Sequence, residues 1–313
     1  MILGYNLHVE KLKGIVSIVK ASTRIEGITN VLKLIHNEIS QSINLKNGRI
    51  LVKPNFVSVR VKLSATPLES VDTLLNYLTN NFNINEILIA ESPSDGTLHE
   101  ALENYQYKDL KRKYPLDFLY FDEDEMEQIE VYNSYGEKFK INIAKTALSN
   151  KYFKISICRP KTHDTVIVTL TIKNMAMGVI PRREKPLMHQ GYYYINLNIA
   201  RIAERVMPNL AIIDGLEGMQ GNGPVDGEPI NWGVFLASTN PVNLDALTTY
   251  MMGFNPKDVG YLYFLNNWGY GEINPQKIPY IGEDPNKLKV KFKPHSTYID
   301  QLKWKMKIHQ TNS

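Results

Sequence analysis

Short apolar stretches alternate with longer amphipathic segments along the first half of the chain. Residues 14–22, 49–56 and 85–92 are apolar runs of strand length. Residues 28–43 and 66–82 lie between them and repeat apolar positions at helical spacing. This alternation predicts an α/β fold with a mostly parallel sheet flanked by helices.

The same alternation continues after the middle of the chain, where residues 151–160, 209–215 and 232–238 have the pattern of buried strands. Residues 127–144 predict a small β-hairpin insertion that turns at Tyr135-Gly136. We therefore expect one α/β domain over residues 1–286, with two lobes, a cleft between them and a sub-lobe boundary near residues 125–150.

The remaining residues, 287–313, form a lysine-rich C-terminal extension. Its first part alternates lysine with apolar residues, which is typical of an edge strand that avoids pairing with other chains. A docking strip for an acidic partner, RNA or a membrane surface is the alternative, although charge runs usually face solvent. The formal charge of +4 is only mildly basic, so nucleic-acid binding is not expected.

The single cysteine, Cys158, excludes an internal disulfide and an iron–sulfur cluster ligated by this chain alone. Sparse cysteine usage favours a reducing compartment. The N-terminus lacks the layout of a secretory signal, and no stretch has the length of an apolar membrane span. These features predict a cytoplasmic protein with no membrane span.

Residues 159–189 contain the strongest chemical signal, namely His163, Lys173 and His189. Imidazoles bind metals or move protons near neutral pH, so His163 and His189 are candidate metal ligands or catalytic groups. A helix starting near Thr165 would place Lys173 beside an apolar face, where an amine becomes a base, a nucleophile or an anion anchor. The alternatives are a structural histidine, a loop histidine and a surface lysine.

Further candidates lie in loops that follow predicted strands, where ligands of open α/β sheets bind. The candidate substrate-binding residues are Lys53, Asn55, Lys161, Asn174, Arg182, Gly221 and Gly223. Arginine matches carboxylate or phosphate, and free backbone amides in a glycine-rich loop cradle anions. An exposed charged loop and a mobile loop are the alternatives for the last three.

Five blocks resemble the DUF362 family of prokaryotes, whose members share no assigned function. They are ILVKPNF, ESPSDGT, RPKTHDTVIVTLTIKNMAMGVIP, MPNLAIIDGLEGMQGNGPVDGEP and VFLASTNPVNLDALTTYMMGFNP. Many members of that family carry a ferredoxin-like cluster module with cysteine repeats, and this chain has none. The resemblance nevertheless implies a ferredoxin-like partner as one option.

The intervals between His163, Lys173 and His189 are also similar to those in the lactate racemase (LarA) family of nickel-pincer enzymes. In that family a lysine tethers a nicotinate-derived cofactor, and histidines bind nickel or move protons at a 2-hydroxy acid. The resemblance implies that Lys173 is the tether. This chain differs in having no glycine-rich stretch before Lys173.

Two functions of different classes follow from these observations. The first is an enzyme, racemase-like or redox-associated, that acts on a small anionic substrate such as a hydroxy acid or a phosphorylated metabolite. A divalent metal or a nickel-pincer cofactor would assist it. The second is a non-catalytic protein that holds an anion or cofactor for an iron–sulfur partner. The sequence identifies neither the substrate nor the cofactor.

Overall fold

The fold is built on a mixed sheet of ten strands. The computed structural model describes residues 14–311. The strands are β1 (Val16–Lys20), β2 (Arg49–Lys53), β3 (Glu86–Glu91), β4 (Leu116–Tyr120), β5 (Met126–Tyr132), β6 (Lys138–Ala144), β7 (Phe153–Cys158), β8 (Lys161–His163), β9 (Ile167–Thr169), β10 (Leu210–Gln220), β11 (Glu228–Ser238) and β12 (Tyr280–Gly282). The main sheet has the order β12-β1-β11-β10-β7-β2-β3-β4, and β8 and β9 form a hairpin beside the end of β10.

Helices cover both faces of this sheet. They are α1 (Arg24–Leu34), α2 (His36–Asn44), α3 (Leu68–Asn81), α4 (Leu98–Asn104), α5 (Lys145–Leu148), α6 (Thr171–Gly178), α7 (Gly191–Val206), α8 (Pro241–Met251), α9 (Gly260–Asn267), α10 (Tyr298–Gln301) and α11 (Trp304–Thr311). The predicted class, a mostly parallel α/β sheet flanked by helices, is confirmed.

Strand direction places the functional loops at one edge. Strands β10, β7, β2, β3 and β4 are parallel neighbours, and β11 runs antiparallel to both β10 and β1. The register sets Val52 beside both Ile89 and Ile155. The loops after β2, β3 and β7 therefore leave the sheet at the same edge, which is where ligands bind in this class of fold.

The central strands are buried on both faces, which is why they appear as continuous apolar runs in the sequence. Leu51 packs into one core cluster with helices α6 to α9, whereas its neighbours Ile50 and Val52 pack into the other cluster with helices α1, α3 and α4. Two separate cores thus hold the sheet from opposite sides and fix the positions of its strand ends.

The predicted hairpin is present as a separate two-stranded sheet of β5 and β6, with Ile129 opposite Ile141. Its buried side packs on α7, where Asn198 exchanges hydrogen bonds with the backbone of Tyr132 at 2.8 Å. The division into two lobes and a boundary near residues 125–150 stays a prediction.

The lysine-rich segment differs from the expected edge strand. Residues 287–294 form no strand, and the edge of the sheet is β12. Phe292 and Trp304 are buried against the domain. Along residues 14–311, no helix combines the length and the apolarity that crossing a bilayer requires.

Two local differences arise from the region around β8 and β9. The expected helix from Thr165 begins instead at Thr171, because residues 167–169 pair with β8. The first part of the glycine-rich segment after residue 215 is strand, since β10 continues to Gln220 opposite β11, and only residues 221–227 form the loop. Alternating polar residues and glycines concealed this long antiparallel extension.

Candidate functional site

A cavity of about 310 Å³ lies at the carboxyl ends of β2 and β3, beside the β8–β9 hairpin and α6. This volume is at the lower end of the range for small-molecule sites, roughly 300–1,000 Å³. Seven of the predicted site residues line it: Lys53, Asn55, His163, Lys173, Asn174, Arg182 and His189. Residues 110 or more positions apart in sequence, such as Lys53 and His163, are thereby brought into one recess.

The other three predicted site residues lie elsewhere. Lys161 is fully buried behind the cavity, and its amine contacts Asn55 Oδ1 and the carbonyl oxygen of Ser64. The amide of Gly221 donates to Lys293 O at 2.7 Å, and the amide of Gly223 donates to Gly221 O at 2.9 Å. Both glycine amides therefore already donate to backbone carbonyl oxygens, one in the C-terminal segment and one in the loop, so neither is free to hold an anion. A role of Gly221 and Gly223 in substrate binding stays a prediction.

Lys53 forms the buried floor of the cavity. It is the last residue of β2, and its Nζ lies 2.7 Å from Glu91 Oε2 at the end of the neighbouring strand β3. The same amine donates to Asn174 Oδ1 at 2.8 Å. Gly178 makes room for this side chain, because a Cβ there would lie 1.8 Å from Lys53 Cε. Burial lowers the pKa of Lys53, and the Glu91 carboxylate opposes that shift.

Two asparagines complete this network. Asn174 Oδ1 also accepts from Asn55 Nδ2 at 3.0 Å, and Asn174 Nδ2 donates to Ser156 Oγ at 3.0 Å. Because the polar atoms of these side chains mostly bond each other, their main effect is to hold the floor rigid. A ligand would meet the network as a fixed polar surface.

Lys173 contrasts with Lys53. It lies on the first turn of α6 and is 8% exposed. Among the described residues its amine has no hydrogen-bond or ion-pair partner. Burial lowers the pKa of Lys173 to about 8; the Asp164 carboxylate opposes this shift, and the Lys53 charge adds a smaller lowering effect. Lys173 is therefore a buried amine that is available to a ligand.

Asp245 on α8 fixes the start of α6. Its carboxylate accepts from Thr171 N at 3.1 Å, Thr171 Oγ1 at 2.5 Å and Ile172 N at 2.8 Å. Free amides at a helix N-terminus need such acceptors, and a negative charge there also complements the helix dipole. Burial raises the pKa of Asp245 to about 7. This contact places Lys173 two residues further along the same turn.

His163 ends β8 and is nearly fully buried. Its Nδ1 lies 3.0 Å from Thr165 N, in the geometry of an accepted hydrogen bond. Asp164 Oδ1 is 2.8 Å from the same nitrogen and accepts from Thr165 Oγ1 at 2.5 Å. Burial, together with the Lys173 charge, lowers the pKa of His163 to about 3. The imidazole is thus neutral at physiological pH.

The turn of residues 182–188 forms the outer wall. Lys185 is buried and its amine donates to Ser92 O; burial lowers its pKa to about 8. Arg182 is exposed at the mouth, with its backbone amide 2.7 Å from Asp122 Oδ1. His189 is also exposed, and partial desolvation and the Lys173 charge lower its pKa.

Two hydroxyl groups in the wall, Ser92 Oγ and Thr169 Oγ1, are buried and have no hydrogen-bond partner in the part of the chain that the structure describes. Buried polar groups normally have a partner, so an orphan hydroxyl beside a cavity indicates a place for a polar ligand. The charge of the wall also favours an anionic ligand, because the wall has four cationic side chains and two carboxylates. The cations are Lys53, Lys173, Arg182 and Lys185, and the acids are Glu91 and Asp164.

A metal site has less support from the donor set. Within residues 14–311 no group of three or more His, Cys, Asp or Glu side chains is arranged to hold a metal ion. His163 and His189 share the cavity, so any metal there would take further ligands from a bound molecule. Their roles as metal ligands, and that of Lys173 as a cofactor tether, stay predictions.

Several wall residues did not stand out in the sequence. Glu91 and Ser92 lie at a strand end that the strand-end argument marks, and Lys185 lies in the same basic loop as Arg182, but their burial depends on the turn geometry. Arg182 was preferred over Lys185, whereas the structure buries Lys185 and exposes Arg182. Asp245 is 74 residues from Thr171 and has no local signal of its capping role.

A thylakoid-associated protein of Synechocystis sp. is 23% identical over 176 residues, which cover 55% of this chain and 52% of that protein. The chain therefore spans about half the length of this curated relative.

Two solved structures are similar at low TM-scores. The lactate racemase apoprotein from Thermoanaerobacterium thermosaccharolyticum has a TM-score of 0.44 at 17% identity, covering 74% of this chain and 55% of that one. A Thermotoga maritima protein has a TM-score of 0.43 at 12% identity, covering 68% and 56%. Similarity at this level carries no functional argument. The family model for a domain of unknown function, DUF362, matches residues 50–250, and the chain belongs to this family.

Proposed function

We propose that this chain is an enzyme that binds a small anionic substrate in the cavity and transfers a proton through Lys173. The observation that carries the proposal is the amine of Lys173, which is buried in a cationic cavity and has no partner among the described residues. The Asp164 carboxylate only partly offsets the cost of burying this charge, so a ligand anion is a natural further partner of the amine.

The acidity of Lys173 suits proton transfer. With a pKa of about 8, the amine is mainly protonated at neutral pH, yet a useful fraction is free base. It can therefore donate a proton to one substrate and accept one from another. A surface lysine, whose ordinary pKa is 10.5, would be a much poorer base at this pH.

His163 would act mainly by orienting the substrate. Its pKa of about 3 makes the imidazole a weak base, but the N–H of the neutral ring can be donated to a substrate oxygen. Lys185 and Arg182 would hold the anionic group, and the orphan hydroxyls Ser92 and Thr169 would bind its other polar atoms. His189 lies at the mouth, where it can exchange protons with solvent.

Binding is tested by calorimetric titration with inorganic phosphate, lactate, pyruvate and 3-phosphoglycerate. Lys173→Met should abolish binding of at least one of these that the wild type binds, whereas Lys291→Met, at an exposed position outside the cavity, should not change it. Proton transfer is tested in D₂O by following deuterium incorporation at the carbon-bound hydrogens of lactate, pyruvate and 3-phosphoglycerate. Incorporation should require Lys173.

Two results would contradict the proposal. The first is that the wild type binds none of these anions. The second is binding or deuterium incorporation that Lys173→Met leaves intact. Anion binding that depends on Lys173 without any incorporation would instead favour the non-catalytic binding protein.

A further inference from the structure

The hairpin that carries His163 contains a residue in an unfavourable backbone conformation. Ile167, the first residue of β9, has a φ of +68°. A β-branched residue rarely adopts this left-handed region, because its Cβ crowds the backbone. Such a conformation persists only where surrounding contacts hold it. Ile167 pairs with His163 across the hairpin, so whatever holds Ile167 also affects His163.

The contact that holds this pair comes from the C-terminal segment. Gln301, in α10, is 1% exposed. Its Oε1 accepts a hydrogen bond from the amide of Ile167, and its Nε2 donates to the carbonyl oxygen of His163 at 2.8 Å. One side chain thus bonds the backbone on both strands of the hairpin.

A second contact from the same segment lies beside the first. Thr297 Oγ1 donates to the carbonyl oxygen of Asp164 at 2.6 Å and accepts from Gln301 Nε2 at 2.9 Å. The segment is itself anchored, since Trp304 Nε1 donates to Asp258 O at 2.7 Å. Residues 163–167 are therefore attached to a firmly packed C-terminal region.

We propose that Gln301 is a positioning residue that holds His163 in the orientation the cavity requires. Its significance for catalysis rests on the proposed function, but its effect on His163 does not. Without Gln301, the amide of Ile167 and the carbonyl of His163 would lose their partner, and the strained turn would relax. The bond between Thr165 N and His163 Nδ1 lies in this turn and would be lost with it.

The test is the protonation pattern of the His163 ring, measured by long-range ¹H–¹⁵N NMR of the full chain labelled at histidine. His163→Gln identifies the signals. The wild type should show one predominant neutral tautomer, with well-separated signals for the protonated and the unprotonated ring nitrogen. In Gln301→Ala both signals should move toward the average of the two neutral tautomers. Ile299→Ala, at a position that is 70% exposed in the same helix, should keep the wild-type pattern.

Gln301→Glu is the second variant, because it can still accept from Ile167 but presents a carboxylate to the carbonyl of His163. Its His163 signals should also move. Wild-type signals in a folded Gln301→Ala or Gln301→Glu chain would overturn the inference. If neither variant folds, hydrogen exchange of the Ile167 amide in the wild type decides: slow exchange supports the bond, and fast exchange refutes it.

A phosphate titration of the wild type separates this inference from the proposed function. Altered His163 signals in Gln301→Ala, with no binding of phosphate or the organic anions by the wild type, would leave Gln301 as a positioning residue and refute the enzyme. If the wild type binds these anions and the His163 signals of Gln301→Ala are unaltered, the positioning role of Gln301 is refuted and the enzyme proposal stands.

Discussion

Lys53 Nζ and Glu91 Oε2 lie 2.7 Å apart on the cavity floor, and both side chains are almost fully buried. Lys173 is buried in the wall of the same cavity without a carboxylate partner among the described residues. One lysine is therefore neutralised within the fold, and the other is left for a ligand. Replacing each lysine by methionine should therefore change the free energy of unfolding in opposite directions.

Lys53→Met should strongly destabilise the protein. The substitution leaves Glu91 as a buried carboxylate without its cation, and removing one partner of a buried ion pair reduces the free energy of unfolding by about 3–5 kcal/mol. Urea unfolding measures this loss. The double variant Lys53→Met/Glu91→Leu removes both charges and should recover most of it. A single variant as stable as the wild type would show that the pair does not stabilise the floor.

Lys173→Met should leave stability unchanged or increase the free energy of unfolding by about 1–3 kcal/mol at pH 7. Methionine fills a similar volume and removes an amine that burial disfavours in its charged form. Loss of anion binding with no loss of stability is typical of a residue kept for function. Urea unfolding of this variant and Lys291→Met, side by side, tests the expectation. A loss of several kcal/mol would mean that Lys173 has a structural role.

The pH dependence of stability should reveal the lowered pKa of Lys173. Its pKa is about 8 in the folded chain, against an ordinary value of 10.5. Between these values the unfolded chain binds more protons, so this residue makes the free energy of unfolding rise with pH across that window. Below pH 8 both states are protonated and its destabilising effect is fully present.

The stability advantage of Lys173→Met over the wild type should therefore shrink between pH 7.5 and about pH 9.5, still below the ordinary pKa of tyrosine. Urea midpoints in phosphate-free buffer give the comparison, since phosphate would itself bind the wild type. An advantage that stays constant across this range would show that the pKa of Lys173 is ordinary.

The sequence predicted the sheet and the meeting of distant loops because both depend on local periodicity and strand direction. The carboxyl ends of parallel strands lie at the same edge of the sheet, so the loops that follow them lie there too. This predicts that Lys53 and His163 lie close to each other. The sequence did not predict which member of a loop points inward. Lys185 and Arg182 lie three residues apart on one short turn, and only the packing of that turn buries the first.

Side-chain contacts between elements far apart in the chain could not be predicted from the sequence either. Gln301 is 138 residues from His163, and its neighbourhood appeared only as a lysine-rich run. The hairpin of β8 and β9 was missed because each strand has three residues, too few for an alternating pattern to show. A helix was expected there, and the positive φ of Ile167 marks the point at which the backbone departs from it.

Asp245→Ala should displace α6 and weaken anion binding together. The substitution leaves the amides of Thr171 and Ile172 and the hydroxyl of Thr171 without an acceptor, and each buried unsatisfied group reduces stability by about 1–3 kcal/mol. Asp245→Asn is the matched variant, since its amide oxygen can still accept. It should be intermediate in urea stability and in phosphate affinity.

The expected order, with Asp245→Asn between the wild type and Asp245→Ala, follows from where Asp245 lies. Within residues 14–311, the hydrogen bonds of the Asp245 carboxylate all go to the start of α6, and Lys173 lies on that first turn. If Asp245→Ala lost stability but bound phosphate like the wild type, Lys173 would not depend on this contact, and the connection between the helix start and the cavity would be wrong.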